Sequence, residues 1–155
     1  MHTKSNEPMI INGLALPLDL QISLKKGEWL KLGGSDDGRW NDTSRISIFG
    51  QLFTHIEQLI PRLFSFENMI LFTEMWIQSD IPDAYIGVAS ISCPPGDIDP
   101  SSAIIIGESE PDSPIALDYR TTIPRVIYFC DIGDETLWVE ASKSITVAIE
   151  TLCLP

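Results

Sequence analysis

The apolar residues fall at helical spacing in the first half of the chain and at strand spacing in the second. Leu20, Ser23 and Leu24 lie on one side of a short helix opened by Leu16-Pro17-Leu18. Pro17 suits a first helical position, where its missing N–H costs nothing, and Gly27 suits a stop. Residues 33–38, with three glycines, read as a flexible loop. Phe49, Leu52, Phe53, Ile56, Leu59 and Ile60 predict a second helix over 44–60, ended by Pro61 and weakened by Gly50. A third helix is predicted over 66–78, with Ser65 as its N-cap. Its Met69, Phe72, Met75 and Trp76 are assigned to the core.

Near residue 80 the pattern changes. Prolines become frequent and β-branched residues take over. A strand is expected over 85–91, a loop over 93–102, and strands near 103–107, 114–119, 125–130 and 136–140, separated by turn residues. Ile104-Ile105-Ile106 does not alternate, which predicts a strand covered on both faces. A last helix is predicted over 143–152, capped by Ser142 or Ser144, with Ile145, Ala148, Ile149 and Leu152 inward. Helices, then hairpin-connected strands, then a closing helix give an α+β fold with a mainly antiparallel sheet in the C-terminal half. Residues 1–8 read as a flexible tail, and 9–155 as a single domain.

Composition agrees with one ordinary globular core: 155 residues, 44% hydrophobic and 21% charged. Cys93, Cys130 and Cys153 are three widely spaced cysteines with no CxxC pair, so they read as reduced thiols rather than as a disulfide or zinc framework. No apolar run reaches the roughly 20 residues a membrane span needs, and no signal peptide is seen; the expected location is cytoplasmic. The net charge is −12, shared as −3 over residues 1–80 and −9 over 81–155. Such a surface repels nucleic-acid phosphates and favours basic protein partners.

Candidate chemistry is sparse. His2 and His55 are the only histidines and form no HExxH-type metal site. There is no phosphate-binding GxxxxGK[ST] loop and no GxSxG nucleophile elbow. Asp97-Ile98-Asp99 lacks the spacing of a calcium loop. The expectation is therefore no catalytic residue, no cofactor and no metal.

The second half does carry a resemblance. Leu16-Pro17 opening a helix, Ile106-Gly107 at a strand end, Pro114-Ile115-Ala116-Leu117-Asp118, Val126-Ile127-Tyr128, and Ser144-Ile145 with Ile149 in the closing helix resemble the SUKH superfamily, the Smi/Knr-like immunity and scaffold proteins. The specific part covers about residues 84–152. The chain departs from that pattern in its turn at 108–113, which has no glycine, in Ile145 where the family has an aromatic, and in lacking Asn-Gly after the first helix. The subfamily stays open.

The resemblance implies a non-enzymatic protein-binding domain, most readily an immunity protein that binds and occludes a cognate toxin domain. A general scaffold domain and a small enzyme stand as alternatives. The implied partner is a basic, nuclease-like toxin domain, with no direct nucleic-acid or membrane contact; the oligomeric state is left open. The candidate partner-binding residues are Asp97, Asp99, Glu108, Glu110, Asp112 and Tyr119, with Asp131, Asp134 and Glu135 in a later acidic turn. Trp29, Trp40, Tyr85 and Tyr119 are candidate apolar anchors.

Overall fold

The computed structural model describes residues 8–33, 45–78 and 85–154. The expected tail up to Glu7, the loop beyond Gly33, and Trp40 lie outside the described residues. The fold is α+β. The N-terminal strands β1 (Ile10–Ile11) and β2 (Leu14–Ala15) form a small hairpin, followed by helices α1 (Leu18–Lys25), α2 (Glu28–Lys31) and α3 (Ile46–Leu52). Strand β3 (Arg62–Leu63) and helix α4 (Phe66–Gln78) come next. The second half holds β4 (Pro95–Gly96), β5 (Ala103–Glu110), β6 (Ser113–Asp118), β7 (Arg125–Ile132), β8 (Glu135–Ser142) and the closing helix α5 (Ile145–Leu152). Six strands form one antiparallel sheet in the order β3-β5-β6-β7-β8-β4.

The middle of this sheet is a meander, as the strand pattern predicts. Ile104, Ile105 and Ile106 are all buried. Ring contacts place the helices. Trp138 and its partner across the ladder, Phe129, meet Trp76 of α4 and Tyr85 on one face. Tyr128, the next residue of β7, meets Phe53 just after α3, on the other face. Both buried indoles are satisfied: Trp29 donates to the Phe64 carbonyl at 3.0 Å and Trp138 to the Tyr85 carbonyl at 2.8 Å.

Strand β5 carries two bulges. Its residues Ile105 and Gly107 pair with Ala116 and Ile115, and Glu108 and Glu110 with Pro114 and Ser113, so Ile106 and Ser109 are extra. Just before the first bulge, on the side of β5 away from β6 and beyond the end of β3, the Ile105 N–H donates to the buried Thr73 hydroxyl of α4 at 2.9 Å. The Ile106 carbonyl accepts from Phe64 at 3.0 Å, and the Ser109 carbonyl accepts from Ile60 at 2.9 Å. Gly107 lies so close to β3 that a Cβ there would sit 2.6 Å from the Arg62 carbonyl oxygen.

The elements differ from the sequence expectations in four places, besides β1, β2, α2 and β3, which periodicity does not predict. Helix α3 stops at Leu52 rather than running to 60. The chain must be extended by Ile60 to bond Ser109, and the His55 N–H is taken by the Tyr128 hydroxyl at 3.2 Å instead of by a helix carbonyl. Ile56 and Leu59 still pack on the core from irregular backbone. The strand expected over 85–91 is a single bridge between Gly87 and Asp97, with Val88 and Ile91 exposed; Gly87, at φ +76, crosses against Gly96 and has no apolar face to bury. The loop over 93–102 contains β4 and a 3-10 turn at Pro100–Ser102. Pro17 takes the N-cap position of α1 rather than its first turn.

Caps agree more closely. Gly27 sits at φ +73 between α1 and α2, the Ser65 hydroxyl accepts from Asn68, and the Ser144 hydroxyl accepts from Val147. Arg45, entering α3, donates to the Leu152 and Leu154 carbonyls at the end of α5. Among the described residues no helix is long and apolar enough to cross a membrane. Cys93, Cys130 and Cys153 are free thiols.

Thr73→Val is nearly isosteric but leaves the buried Ile105 N–H without an acceptor. It should cost about 1–3 kcal/mol in urea denaturation, while Thr73→Ser, which keeps the oxygen, should recover most of that loss. Gly107→Ala should destabilise as well, because relief of its contact requires β3 to move.

Candidate functional site

A meander puts alternate turns at the same end. The β5–β6 turn, at Pro111–Asp112, and the β7–β8 turn, at Gly133–Asp134, therefore lie together, and the β6–β7 connection lies at the opposite end. Asp112 and Gly133 hold positive φ, at 66° and 62°, which makes both reversals tight. Glycine is the usual residue in such a backbone, and aspartate is among the few others that adopt it readily.

Between these two turns and the segment after α3 opens a cleft of about 660 Å³. Phe129, Cys130 and Tyr85 line it, together with the acidic Glu57, Glu110, Asp112 and Asp131 and the single histidine His55. Glu57, Asp112, Asp131 and His55 are exposed, and Glu110 is half-buried. One carboxylate oxygen of Asp131 accepts from Thr136 at 2.9 Å. Burial, with the nearby Asp131 charge adding, pushes the Cys130 thiol up to about 12, so it holds its proton at neutral pH.

The six candidate residues divide between the two ends of the sheet. Glu110 and Asp112 face the cleft. Glu108 lies beside them, half-buried against β3, where it pairs with Arg62 in the ladder. Burial raises the Glu108 carboxyl above its ordinary value; the Arg62 charge offsets part of this, and Asp112 adds to it.

Asp97, Asp99 and Tyr119 are at the other end, engaged by the protein's own groups. The Tyr119 hydroxyl donates to the Ala15 carbonyl at 2.7 Å. Asp99 caps the 3-10 turn, accepting from the Ser101 N–H and hydroxyl at 3.1 and 2.7 Å; the Ser101 hydroxyl chiefly holds its carboxyl below the ordinary value. Asp97 accepts from Arg120 at 3.0 Å through its carboxylate and at 2.8 Å through its carbonyl. Of the expected aromatic anchors, Trp29 belongs to the core at 2% exposure and cannot meet a partner. Tyr85 and Tyr119 are half-buried.

Asp118 organises this second end. Its side chain is 1% exposed and accepts from Arg120 at 2.9 Å and from Arg125 at 2.9 Å. Arg120 bridges onward to Asp97, and Arg125 approaches Glu140 at 3.8 Å. Burial would raise the Asp118 carboxyl, but the hydrogen bonds from Arg120 and Arg125 outweigh it and hold it below its ordinary value. Sequence reading gave Asp118 only as the end of a strand motif. The arginines two and seven residues later were the available signal, but both distances close only once the hairpin forms.

Glu57, His55 and Asp131 complete the cleft. Glu57 carries no sequence signal of its own, since a helix through 60 would have placed it on a solvated face. Among the described residues no group of three or more His, Cys, Asp or Glu side chains is placed to hold a metal ion.

No protein-family model, no curated protein and no solved structure matches this chain. The resemblance to SUKH proteins therefore rests on the motif residues alone.

The buried Asp118 and the half-buried Glu108 should respond to pH with opposite sign. The folded pKa of Asp118 is depressed, so its stabilisation is present above the ordinary aspartate value of 3.8 and is lost as pH falls through the folded value. Asp118→Asn should cost about 3 kcal/mol at neutral pH, the low end for breaking a buried pair because both arginines keep some solvent. It should also flatten the acid limb of a urea-stability profile. The folded pKa of Glu108 is raised, so its anion costs stability at neutral pH and the cost fades in acid. Glu108→Gln should therefore be the more stable protein near neutrality and lose that advantage as pH falls.

Proposed function

We propose that this chain is a non-enzymatic immunity-type protein that neutralises a toxin domain by seating its acidic hairpin end in a basic active-site groove. The observation that carries this reading is the convergence of Glu110 and Asp112 from one hairpin, Asp131 from another, and Glu57 from the segment after α3 around a single cleft. Like charges held this close repel one another, and a basic partner relieves that repulsion. The groove of a nuclease-like enzyme is built for closely spaced phosphates, which such carboxylates imitate in charge. Charge of this kind speeds encounter, and contacts at a desolvated apolar centre slow release.

Three further features support a binder over a catalyst. The cleft's only thiol is held protonated. Its only histidine sits on exposed irregular backbone. The buried charged cluster around Asp118 is spent on holding the β6–β7 connection. The resemblance to SUKH proteins points the same way, and a cytoplasmic site of action fits three free thiols.

A tagged pull-down from the native host, read by mass spectrometry at low and high salt, should recover one dominant basic partner whose capture weakens with salt. With that partner purified, converting Glu57, Glu110, Asp112 and Asp131 to their amides should slow association about tenfold or more at low salt and flatten its salt dependence. The reading fails if cells expressing the recovered partner die equally fast with and without this protein.

A further inference from the structure

Helix α4 presents an apolar stripe to solvent. Leu71 and Met75 lie four residues apart and are 50% and 53% exposed. Met75 also forms one wall of a slot of about 230 Å³ between α4 and β5, with Phe72, Trp76 and Ile105 beside it and Glu108 and Asp112 along its edge. Given that a water occupies about 30 Å³ of liquid, the slot has room for one large side chain. Gly107 of β5 also lines it.

We propose that this slot takes a partner segment in which one large apolar side chain is adjacent to a lysine or arginine, the apolar group entering between α4 and β5 and the cation meeting Glu108 and Asp112. This rests on the proposed function and specifies its partner. Charge selects the occupant. A second copy of this chain brings a net charge of −12 to the same acidic edge, and nucleic acid or an anionic bilayer is repelled likewise. Arg62 offsets only part of what burial and Asp112 withhold from the Glu108 carboxylate, and a second cation there supplies more. Asp112 borders both the slot and the larger acidic cleft, so a basic loop entering the cleft passes the slot's mouth.

The test is a titration of the isotope-labelled full chain, followed by NMR, with three capped tetrapeptides: Gly-Trp-Arg-Gly, Gly-Trp-Glu-Gly and Gly-Ser-Arg-Gly. The first should give saturable shifts at the Gly107 and Glu108 amides, the Met75 methyl and the Trp76 indole. The other two should bind at least about fivefold more weakly, the ratio expected from losing one charge-assisted bond or one apolar anchor. Glu108→Gln and, independently, Met75→Lys should each weaken the first peptide by about the same factor while leaving the rest of the spectrum in place. Equal binding of the Trp-Glu peptide overturns the proposal, as does the absence of saturable shifts up to about 10 mM. Shifts confined to His55, Glu57 and Asp131 overturn the slot and leave the cleft standing. The slot can thus fail without the toxin-binding reading failing, and the pull-down can fail without the slot failing.

Discussion

The edge of strand β5 away from β6 has only the two-residue β3 to pair with, and the elements along that edge are placed by the peptide groups it leaves over. A buried peptide group that a neighbouring strand does not reach must be bonded elsewhere. Thr73 in the third turn of α4 takes the Ile105 N–H, while Phe64 and Ile60 supply donors to the Ile106 and Ser109 carbonyls. Helix α4 and the segment 60–64 are thereby fixed against one edge of the sheet at defined heights. The same bonds explain why a polar residue occupies the buried stripe of an otherwise apolar helix, and why α3 cannot continue into the segment that has to become β3.

The charge asymmetry of the chain resolves into two arrangements with different roles. At the β6–β7 end, anions and cations alternate: Asp118 with Arg120 and Arg125, then Asp97, Asp99 and Glu140 around them. Nearly every carboxylate there accepts a hydrogen bond from its own chain, and the cluster ties the loop after β4 to the central hairpin. At the opposite end Glu57, Glu110, Asp112 and Asp131 line one cleft, with Glu108 and Arg62 paired at its border. Net charge treats both ends alike, but their chemistry differs: one end is internally compensated and the other gathers a surplus of carboxylates around a cleft.

The sequence made the long elements legible because each has its own period. Residues 66–78 repeat at helical spacing, and the four strands of the meander are bounded by turn residues. What was hidden depends on partners distant in the chain. The two-residue strands β3 and β4 have no period to read. The apolar positions of 44–60 fit a helix, yet Ile56 and Leu59 reach the core after the helix has ended, because Tyr128 and Ser109 capture the backbone. Asn12-Gly13 between Ile11 and Leu14 closes a two-residue hairpin, with φ values of 58° and 73°, a turn signal that lies outside both periodic patterns. Its Asn12 side chain fastens the hairpin to the Pro100 and Ala103 carbonyls at the start of β5. For the cleft, the acidic turns were visible as turns. Their shared end follows from strand parity, but the contribution of Glu57 needed the three-dimensional course of the chain.

The outermost strand on the β8 side is only Pro95 and Gly96. Proline has no N–H to offer, and Gly96 faces Trp138 on one side while the 88–90 backbone crowds it, close enough that even a methyl group would collide. A further chain arriving at this border finds a truncated, donor-poor rim instead of a long row of free peptide groups. The meander is rich in isoleucine and valine, the composition that polymerises readily when edges are left open. A short proline-bearing border keeps such strands at the centre of the sheet and offers little on the β8 side for a further strand to pair with.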